Sequence, residues 1–287
     1  MIKKGHKTKQ EKTLLSPRDF GHNTFRVLRE WTDEHGQQFG FHASNNFSDD
    51  DLSTPIYRYI DFYHLIQLIE RKELYIPNRQ QFTDKRECSD NIFKTLEEIN
   101  KIVNIIPNYG SKQYLKDINE RHNQIWYQAV SCWTYDSAKS TKRQTPENYL
   151  MWKCHSEKHY VCRIESSIQL FADSIKDLTH DILVSDVSYL SAIRFRIANT
   201  PSEIFIKPDF YDGEQELRFV VLQNDIFDCI YKRPIKLPIN PQILIKGITL
   251  SPFIDSVEED ILRERLHNVI GDETIPINSS MVLEYYK

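Results

Sequence analysis

Tyr211-Asp212-Gly213-Glu214-Gln215-Glu216-Leu217-Arg218-Phe219-Val220-Val221 places two carboxylates, Glu214 and Glu216, two residues apart at the mouth of an apolar run. Side chains two apart on a strand share a face, so Glu214 and Glu216 are expected to converge. Converging like charges destabilise a sheet unless a ligand, a cation or a shared proton compensates them. The competing reading is a solvated strand end beside a turn at Asp212-Gly213.

Arg58 stands between Tyr57 and Tyr59. On a strand its guanidinium leaves by the face opposite the two rings. Held rigidly there it suits bidentate contact with phosphate; the plainer reading is a charge at a strand edge. Tyr149-Leu150-Met151-Trp152 follows a loop carrying Lys139, Lys142 and Arg143. Its rings fit either a flat heterocycle or the core. Cys154, His155, His159 and Cys162 put four soft ligands in nine residues. Structural zinc sites space ligands about two to four apart and then leave a longer gap, which this segment lacks. A nucleophile among Cys154 and Cys162 lacks any mark of a lowered thiol pKa. No metal site is assigned.

These residues need elements to hold them. Pro55 to Ile60 reads as a strand, Phe62 to Lys72 as a helix with Leu65, Ile66, Leu68 and Ile69 on one face, and Leu74 to Pro77 as a second strand. A polar loop over 78–88 contains Asp84 and Glu87. Residues 89–128 carry helical periodicity, broken near Pro107 to Gly110. Ala129 to Thr134 reads as a strand, 137–146 as a loop, Asn148 to His155 as a helical turn and Tyr160 to Ile164 as a strand. Beyond Pro201, strands are expected at Phe205-Ile206, Leu217 to Leu222, Ile243 to Ile245, Ile248 to Leu250 and Met281 to Tyr285, with a helix over Val257 to Val269. Short strands mixed with one-sided helices predict an α+β fold. Residues 1–54 read as a basic and polar extension, with a short helix near Thr24 to Trp31 and with Trp31, Phe39 and Phe41 docking it onto a domain over 55–287.

Composition excludes several classes. A chain of 287 residues with 27% charged and 40% hydrophobic residues is ordinary for a soluble globular protein. The net charge of −4 gives no global attraction to nucleic acid or membrane. No apolar run approaches the roughly 20 residues of a membrane span, and the lysines near the N-terminus precede no apolar segment of a secretion signal. Five cysteines, odd in number and widely spaced, fit a reducing cytoplasm. With 8 glycines there is no phosphate-cradling loop of the P-loop or Rossmann kind.

In order, Tyr57-Arg58-Tyr59, Leu74-Tyr75-Ile76, Asp84 with Glu87, Ser131-Cys132-Trp133, Met151-Trp152, Val161-Cys162 with Glu165, and Glu214-x-Glu216-x-Arg218 resemble a large bacterial domain family of unassigned function. The likeness covers about residues 55–222. The chain departs from that pattern with Arg58 for lysine, Lys85-Arg86 for Pro-Phe, Trp133 for serine and His155 for tyrosine. That layout is in turn similar to the ADP-ribosyltransferase core, a split antiparallel sheet flanked by helices that binds NAD without a glycine-rich loop. The resemblance implies that Glu216 is the catalytic carboxylate, facing an oxocarbenium-like ribose, and that Arg58 anchors NAD. It implies that Glu214 orients the acceptor, and that Tyr57, Ser131, Trp133, Tyr149, Trp152 and His155 shape the cofactor pocket. The middle strand lacks the Ser-Thr-Ser run of many such toxins.

What the resemblance implies biologically is a toxin of a toxin–antitoxin or phage-defence system, with an antitoxin protein as partner and RNA favoured over DNA or protein as acceptor. The basic arm and the loop Lys139 to Arg143 suit phosphates. Two other classes stand beside this one. Asp84, Glu87, Glu165, Glu214 and Glu216 gathering Mg²⁺ would make a nuclease; the fold without chemistry would make a binding module. A transferase requires Arg58 and Glu216 to lie within about 15 Å, the reach of one NAD.

Overall fold

The fold comes from a computed structural model that describes residues 16–17, 25–78, 81–82, 128–135, 147–155, 160–191, 204–223, 234–271 and 275–282. The strands are β1 (Phe25–Thr32), β2 (Gln38–Ser44), β3 (Ile56–Asp61), β4 (Glu73–Ile76), β5 (Ala129–Thr134), β6 (Val161–Ser166) and β7 (Ile182–Asp186). They continue with β8 (Ser188–Leu190), β9 (Ile206–Pro208), β10 (Glu216–Val221), β11 (Ile235–Pro238), β12 (Gly247–Leu250) and β13 (Ile277–Asn278). The helices are α1 (Asp49–Ser53), α2 (Phe62–Arg71), α3 (Tyr149–His155), α4 (Ile168–Ser174), α5 (Pro241–Leu244) and α6 (Ser256–Ile270), and a 3₁₀ turn spans Asp209–Glu214.

Nine strands form one sheet in the order β1-β2-β7-β10-β5-β3-β6-β12-β13. Every neighbouring pair is antiparallel except β2–β7 and β12–β13. The expected α+β architecture holds: a mostly antiparallel central sheet with helices against it. One face carries the main core, where Phe171 of α4 stacks on Phe219 of β10 at 3.9 Å and Phe41 and Trp133 close around them. The other face holds a smaller cluster of Val130, Leu183, Ile204, Phe205, Val220 and Leu222.

The sheet is split at one place. β3 follows β6 from Ile56 to Asp61, yet meets β5 only at Tyr57 opposite Thr134. Beyond that point the end of β4 takes over, with Val130 N donating to the Pro77 carbonyl at 3.0 Å. The helix leaving β3 explains the divergence. Asp61 caps α2 by accepting from Tyr63 N at 2.9 Å, and Phe62, Leu65, Ile66, Leu68 and Ile69 pull the helix onto the core. The helix stops at Lys72, whose left-handed φ of 55° turns the chain back into β4.

Residues 25–54 are corrected from an extension to part of the sheet. The helix expected near Thr24 to Trp31 is strand β1 over its described residues. It is hairpinned to β2 through a turn in which Asp33 accepts from His35 N and Gln37 N and Gly36 takes a φ of 78°. β2 then lies parallel to β7 and sends Phe39, Phe41 and Ala43 into the main core. Asp49-Asp50-Asp51 is the first turn of α1, where Ser48 and Asp51 form a capping box, rather than a linker. Ile243 to Ile245 was expected as strand but begins in α5, because Asn240 caps a helix whose first residue is Pro241. Met281 and Val282 are not strand. Helix α4 and strands β7, β8 and β9 went largely unread. The basic arm over 1–15, the helical stretch 89–127 and the loop 137–146 lie outside the described residues.

Phe41→Ala tests the corrected boundary. Removing a fully buried ring should cost about 3–5 kcal/mol in urea unfolding. An unchanged midpoint would mean that residues 25–54 are carried as an appendage after all.

Candidate functional site: a cationic cleft beside a buried carboxylate

Arg58 projects into the split. Its guanidinium donates to Ser131 Oγ at 3.1 Å, and the same oxygen accepts from Trp133 Nε1 at 3.0 Å. Burial lowers the Arg58 pKa to about 10, which leaves it charged at neutral pH. As expected for alternating side chains, Tyr57 and Tyr59 leave by the other face. Tyr57 lies under Arg163, 4.3 Å from guanidinium to ring, and Tyr59 meets Trp152 edge-on at 4.8 Å.

Around Arg58 a cleft of about 260 Å³ opens between β3, α2, β4 and α3. Its walls include Tyr59, Asp61, His64, Arg71, Tyr75, His155 and Lys236. His155 stacks on Tyr59 with rings 5.8 Å apart and nearly parallel. His155 thus shares the cleft wall with Tyr59.

The carboxylates sit at the other side of β5. Glu214 is not on the strand: it ends the 3₁₀ turn, and Gln215 at φ 46° separates it from Glu216, the first residue of β10. The two still converge, because Lys207 of β9 lies 2.6 Å from Glu214 Oε2 and 2.9 Å from Glu216 Oε2. The cation that a converging pair requires is thus built into the chain. Arg218 completes the set, with Nε 2.8 Å from Glu216 Oε1 and Nη2 3.2 Å from Oε2. Exposures of 5% for Glu216, 2% for Lys207 and 1% for Arg218 place this network inside the protein. Burial pushes the Glu216 pKa up, but Arg218 and then Lys207 outweigh it and hold the carboxyl at about 2. Glu216 is a permanent anion.

Local contacts fix the group. Glu216 N donates to the Tyr189 hydroxyl at 2.7 Å, and Tyr189 sits beside Lys207 in the parallel β8–β9 pair. Thr134 Oγ1 donates to the Glu214 carbonyl at 2.5 Å, and Asn148 Nδ2 to that of Gly213 at 2.9 Å. The Cys132 thiol bonds the Glu216 carboxylate. Arg58 and Glu216 therefore touch consecutive residues of β5, Ser131 and Cys132, whose side chains leave the strand by opposite faces.

Several expected pocket residues are core instead. Trp152 is fully buried, its Nε1 donating to Glu147 Oε2 at 2.8 Å. Glu147 also accepts from Ser280 Oγ and Met281 N, so the ring is locked against the C-terminal segment. Trp133 meets the stacked rings of Phe171 and Phe219 edge-on in the core. Neither can stack on a ligand. Tyr149 is exposed but packs against Phe253 and Lys153, near Leu150 and apart from the residues lining the cleft.

The soft-ligand cluster does not assemble over its described members. Cys154 is exposed on α3, whereas Cys162 is buried in the main core with its thiol pKa pushed up by burial. Among the described residues no group of three or more His, Cys, Asp or Glu is placed to hold a metal. Of the carboxylates considered for Mg²⁺, Glu165 pairs with Lys246 at 3.3 Å, and Asp84 and Glu87 lie outside the described residues. No helix among the described residues is long and apolar enough to cross a membrane. Lys207, Tyr189, Arg71 and Lys236 were missed in the sequence; a lysine between Ile206 and Pro208 was the one available signal.

Fold and site together define a mixed α/β protein whose split sheet joins a cationic cleft to a buried, neutralised carboxylate. No protein-family model matches the chain, and no curated protein matches it. Among solved structures it is similar to DarT of Thermus sp. 2.9 in complex with ADP-ribosylated ssDNA, at 12% identity and TM-score 0.34, covering 79% of this chain and 94% of that one. The same protein with carba-NAD⁺ matches at 11% and 0.34 over 82% and 97%, and with NAD⁺ at 12% and 0.32 over 79% and 95%. At such TM-scores the likeness carries no argument about this chain.

Two outcomes follow from the charge network. Lys207→Met leaves both carboxylates facing each other without their shared cation, and should cost about 3–5 kcal/mol in chemical unfolding. A loss below about 1 kcal/mol would show that water, not Lys207, compensates them. A carboxyl held at about 2 against an ordinary 4.5 contributes stability above the ordinary value that drains as pH falls between the two. Wild type should therefore lose stability across that window more steeply than Glu216→Gln, which takes up no proton there. Parallel loss would remove Glu216 from the account.

Proposed function

We propose that the chain is an NAD-dependent ADP-ribosyltransferase that modifies a macromolecule. The observation that carries this reading is the buried, permanently ionised Glu216 carboxylate at the head of β10, across β5 from the split that Arg58 enters. Arg58 holds a phosphate of NAD, and Glu216 faces the ribose as the glycosidic bond to nicotinamide breaks. Because Glu216 stays ionised, it stabilises the developing positive charge electrostatically and does not act as a proton donor.

A carboxylate offers about four acceptor positions, and a thiol is the weakest of the donors on this one. A ribose 2′-hydroxyl replaces Cys132 there, leaving Arg218 and Lys207 in place. Glu214, a quarter exposed, is the member of the pair that meets the acceptor. The acceptor is nucleic acid, with RNA expected before DNA, on the strength of the basic segments at Lys3 to Lys9 and Lys139 to Arg143. As a toxin such a protein needs a neutralising partner protein in the same cytoplasm.

Labelled ADP-ribose supplied as NAD to total RNA, single-stranded DNA and lysate protein in separate tubes tests this. Label should enter one pool, resist EDTA, and fall at least about 100-fold with Glu216→Gln. Arg58→Ala should raise KM for NAD about tenfold or more. Label in the DNA tube alone reassigns the acceptor. Intact NAD in every tube overturns the transferase, and EDTA-sensitive nucleic-acid cleavage would put a nuclease in its place.

A further inference from the structure

The direction of Glu214 is set by the 3₁₀ turn that carries it, and among the described residues no side chain caps that turn at its start. The turn is held at its end instead. Three consecutive carbonyls each accept from a side chain: Asp212 from Gln215 Nε2 at 2.6 Å, Gly213 from Asn148 Nδ2 at 2.9 Å and Glu214 from Thr134 Oγ1 at 2.5 Å. Gln215 closes the turn itself, and Thr134 belongs to the central sheet. Asn148 comes from elsewhere. It stands immediately before α3, the helix whose last residue, His155, lines the cleft. Leu150 packs beside it, 3.5 Å from the position that a methyl on Gly213 would take.

Asn148 is 5% exposed, and its amide is used at both ends. Oδ1 accepts from Leu150 N at 3.1 Å, the bond of a helix N-cap, while Nδ2 donates to Gly213. Its backbone carbonyl accepts from Trp152 N at 3.2 Å and, at 3.5 Å, from the hydroxyl of Tyr59, the ring on which His155 stacks. One residue thus joins β3, α3 and the Glu214 turn. A cap needs only the oxygen, and serine or aspartate supplies it as well. The nitrogen is the part a cap does not explain. It reaches the carbonyl one residue before Glu214.

We propose that Asn148 is a positioning residue for the acceptor step: it ties the Glu214 turn to α3 and leaves Glu216 to Lys207, Arg218 and Tyr189. Without the tie Glu214 no longer holds the acceptor in line, and water takes the ribose instead. In either fate the glycosidic bond breaks with its electron pair leaving on nicotinamide. The new bond to the ribose forms from a lone pair of the acceptor or of water, and the attacking atom sheds its proton to solvent. The inference rests on the transferase reading for the chemistry that Glu214 serves, and on hydrogen bonds alone for the tie.

Two variants separate the tie from the cap. Asn148→Ser and Asn148→Asp both keep an N-cap oxygen, but serine is too short to reach Gly213 and aspartate has no donor to offer it. Given labelled NAD and the pool that wild type labels, both should consume NAD within about twofold of wild type at unchanged KM for NAD, while label on the acceptor falls about tenfold and free ADP-ribose rises to match. Amide exchange reads the tie without substrate. The Gln215 N–H, held on the Asp212 carbonyl at 3.1 Å, should exchange about tenfold faster in both variants, with Phe219 in β10 unchanged. Gln215 exchange at the wild-type rate overturns the tie, whatever the chain does with NAD. Faster exchange with transfer and hydrolysis in the wild-type ratio overturns the positioning role. Faster exchange in a chain that leaves NAD intact, wild type included, keeps the tie and removes the transferase reading instead.

Discussion

The head of β10 depends on a balance of four charges with almost no water to share them. Lys207, Arg218, Glu214 and Glu216 sum to zero, and at least three of them are buried. An ion pair in such a place contributes little net stability over an apolar equivalent, yet removal of one member is severe. Its structural effect is to fix geometry. Lys207 brings β9, Glu214 the 3₁₀ turn and Arg218 the central strand, while Arg218 also donates to the Ile204 carbonyl at 2.6 Å. A connection that leaves the main sheet after β7 and returns as β10 is thereby tied down at the one point where a carboxylate must not wander.

The split between β3 and β5 is the complementary constraint. A continuous sheet would satisfy every backbone group and leave no opening for a ligand. Here β3 bends into α2 after a single bridge to β5, and β4 supplies the hydrogen bond to Val130 that β3 gives up. The opening is therefore formed without orphaned amides on β5 at that position. Ser131 has no large side chain to fill it, so Arg58 reaches across and donates to the hydroxyl. Trp133 donates to the same oxygen from the core side, which leaves Ser131 nothing to do but hold the arginine in place.

Periodicity and short apolar runs revealed β3, α2, β4, β5, α3, β6, β12 and α6 nearly to their ends. It failed for β1 and β2. Their strands alternate imperfectly around a bulge near Val27, and Arg26, Arg29 and Glu30 gave the segment the look of a solvated arm. Those charges sit on the outermost strand, where they discourage pairing with another chain. Arg29 also donates to the Ala172 carbonyl, a tertiary contact no local pattern announces. At the site, Arg58, Glu214, Glu216 and His155 were legible by type and spacing. Trp133 and Trp152 were misread because an indole reads alike in a pocket and a core; what decides between them is a partner for the ring nitrogen, here Ser131 and Glu147, which no apolar pattern marks as such. Lys207 was silent because its meaning arises only when β9 lies beside β10.

The two ends of the site are prepared in opposite ways. Glu216 enters with its charge already compensated and its hydrogen bonds nearly complete, so a ligand gains little by touching it in the ground state. Arg71 and Lys236 are exposed and, among the described residues, unpaired, so a polyanion would find uncompensated charge there. Binding that is strong away from the reacting atoms and weak at them is the condition under which affinity can be turned into rate, since only interactions that strengthen in the transition state lower the barrier. Glu216 meets that condition for a cation. Two fixed positive neighbours make it a poor partner for a neutral sugar, and a positive charge forming beside it would draw on an anion that cannot reorient or take up a proton at neutral pH. Lys207 and Arg218 act through placement: they keep the carboxylate ionised and fixed, at the cost of part of its field.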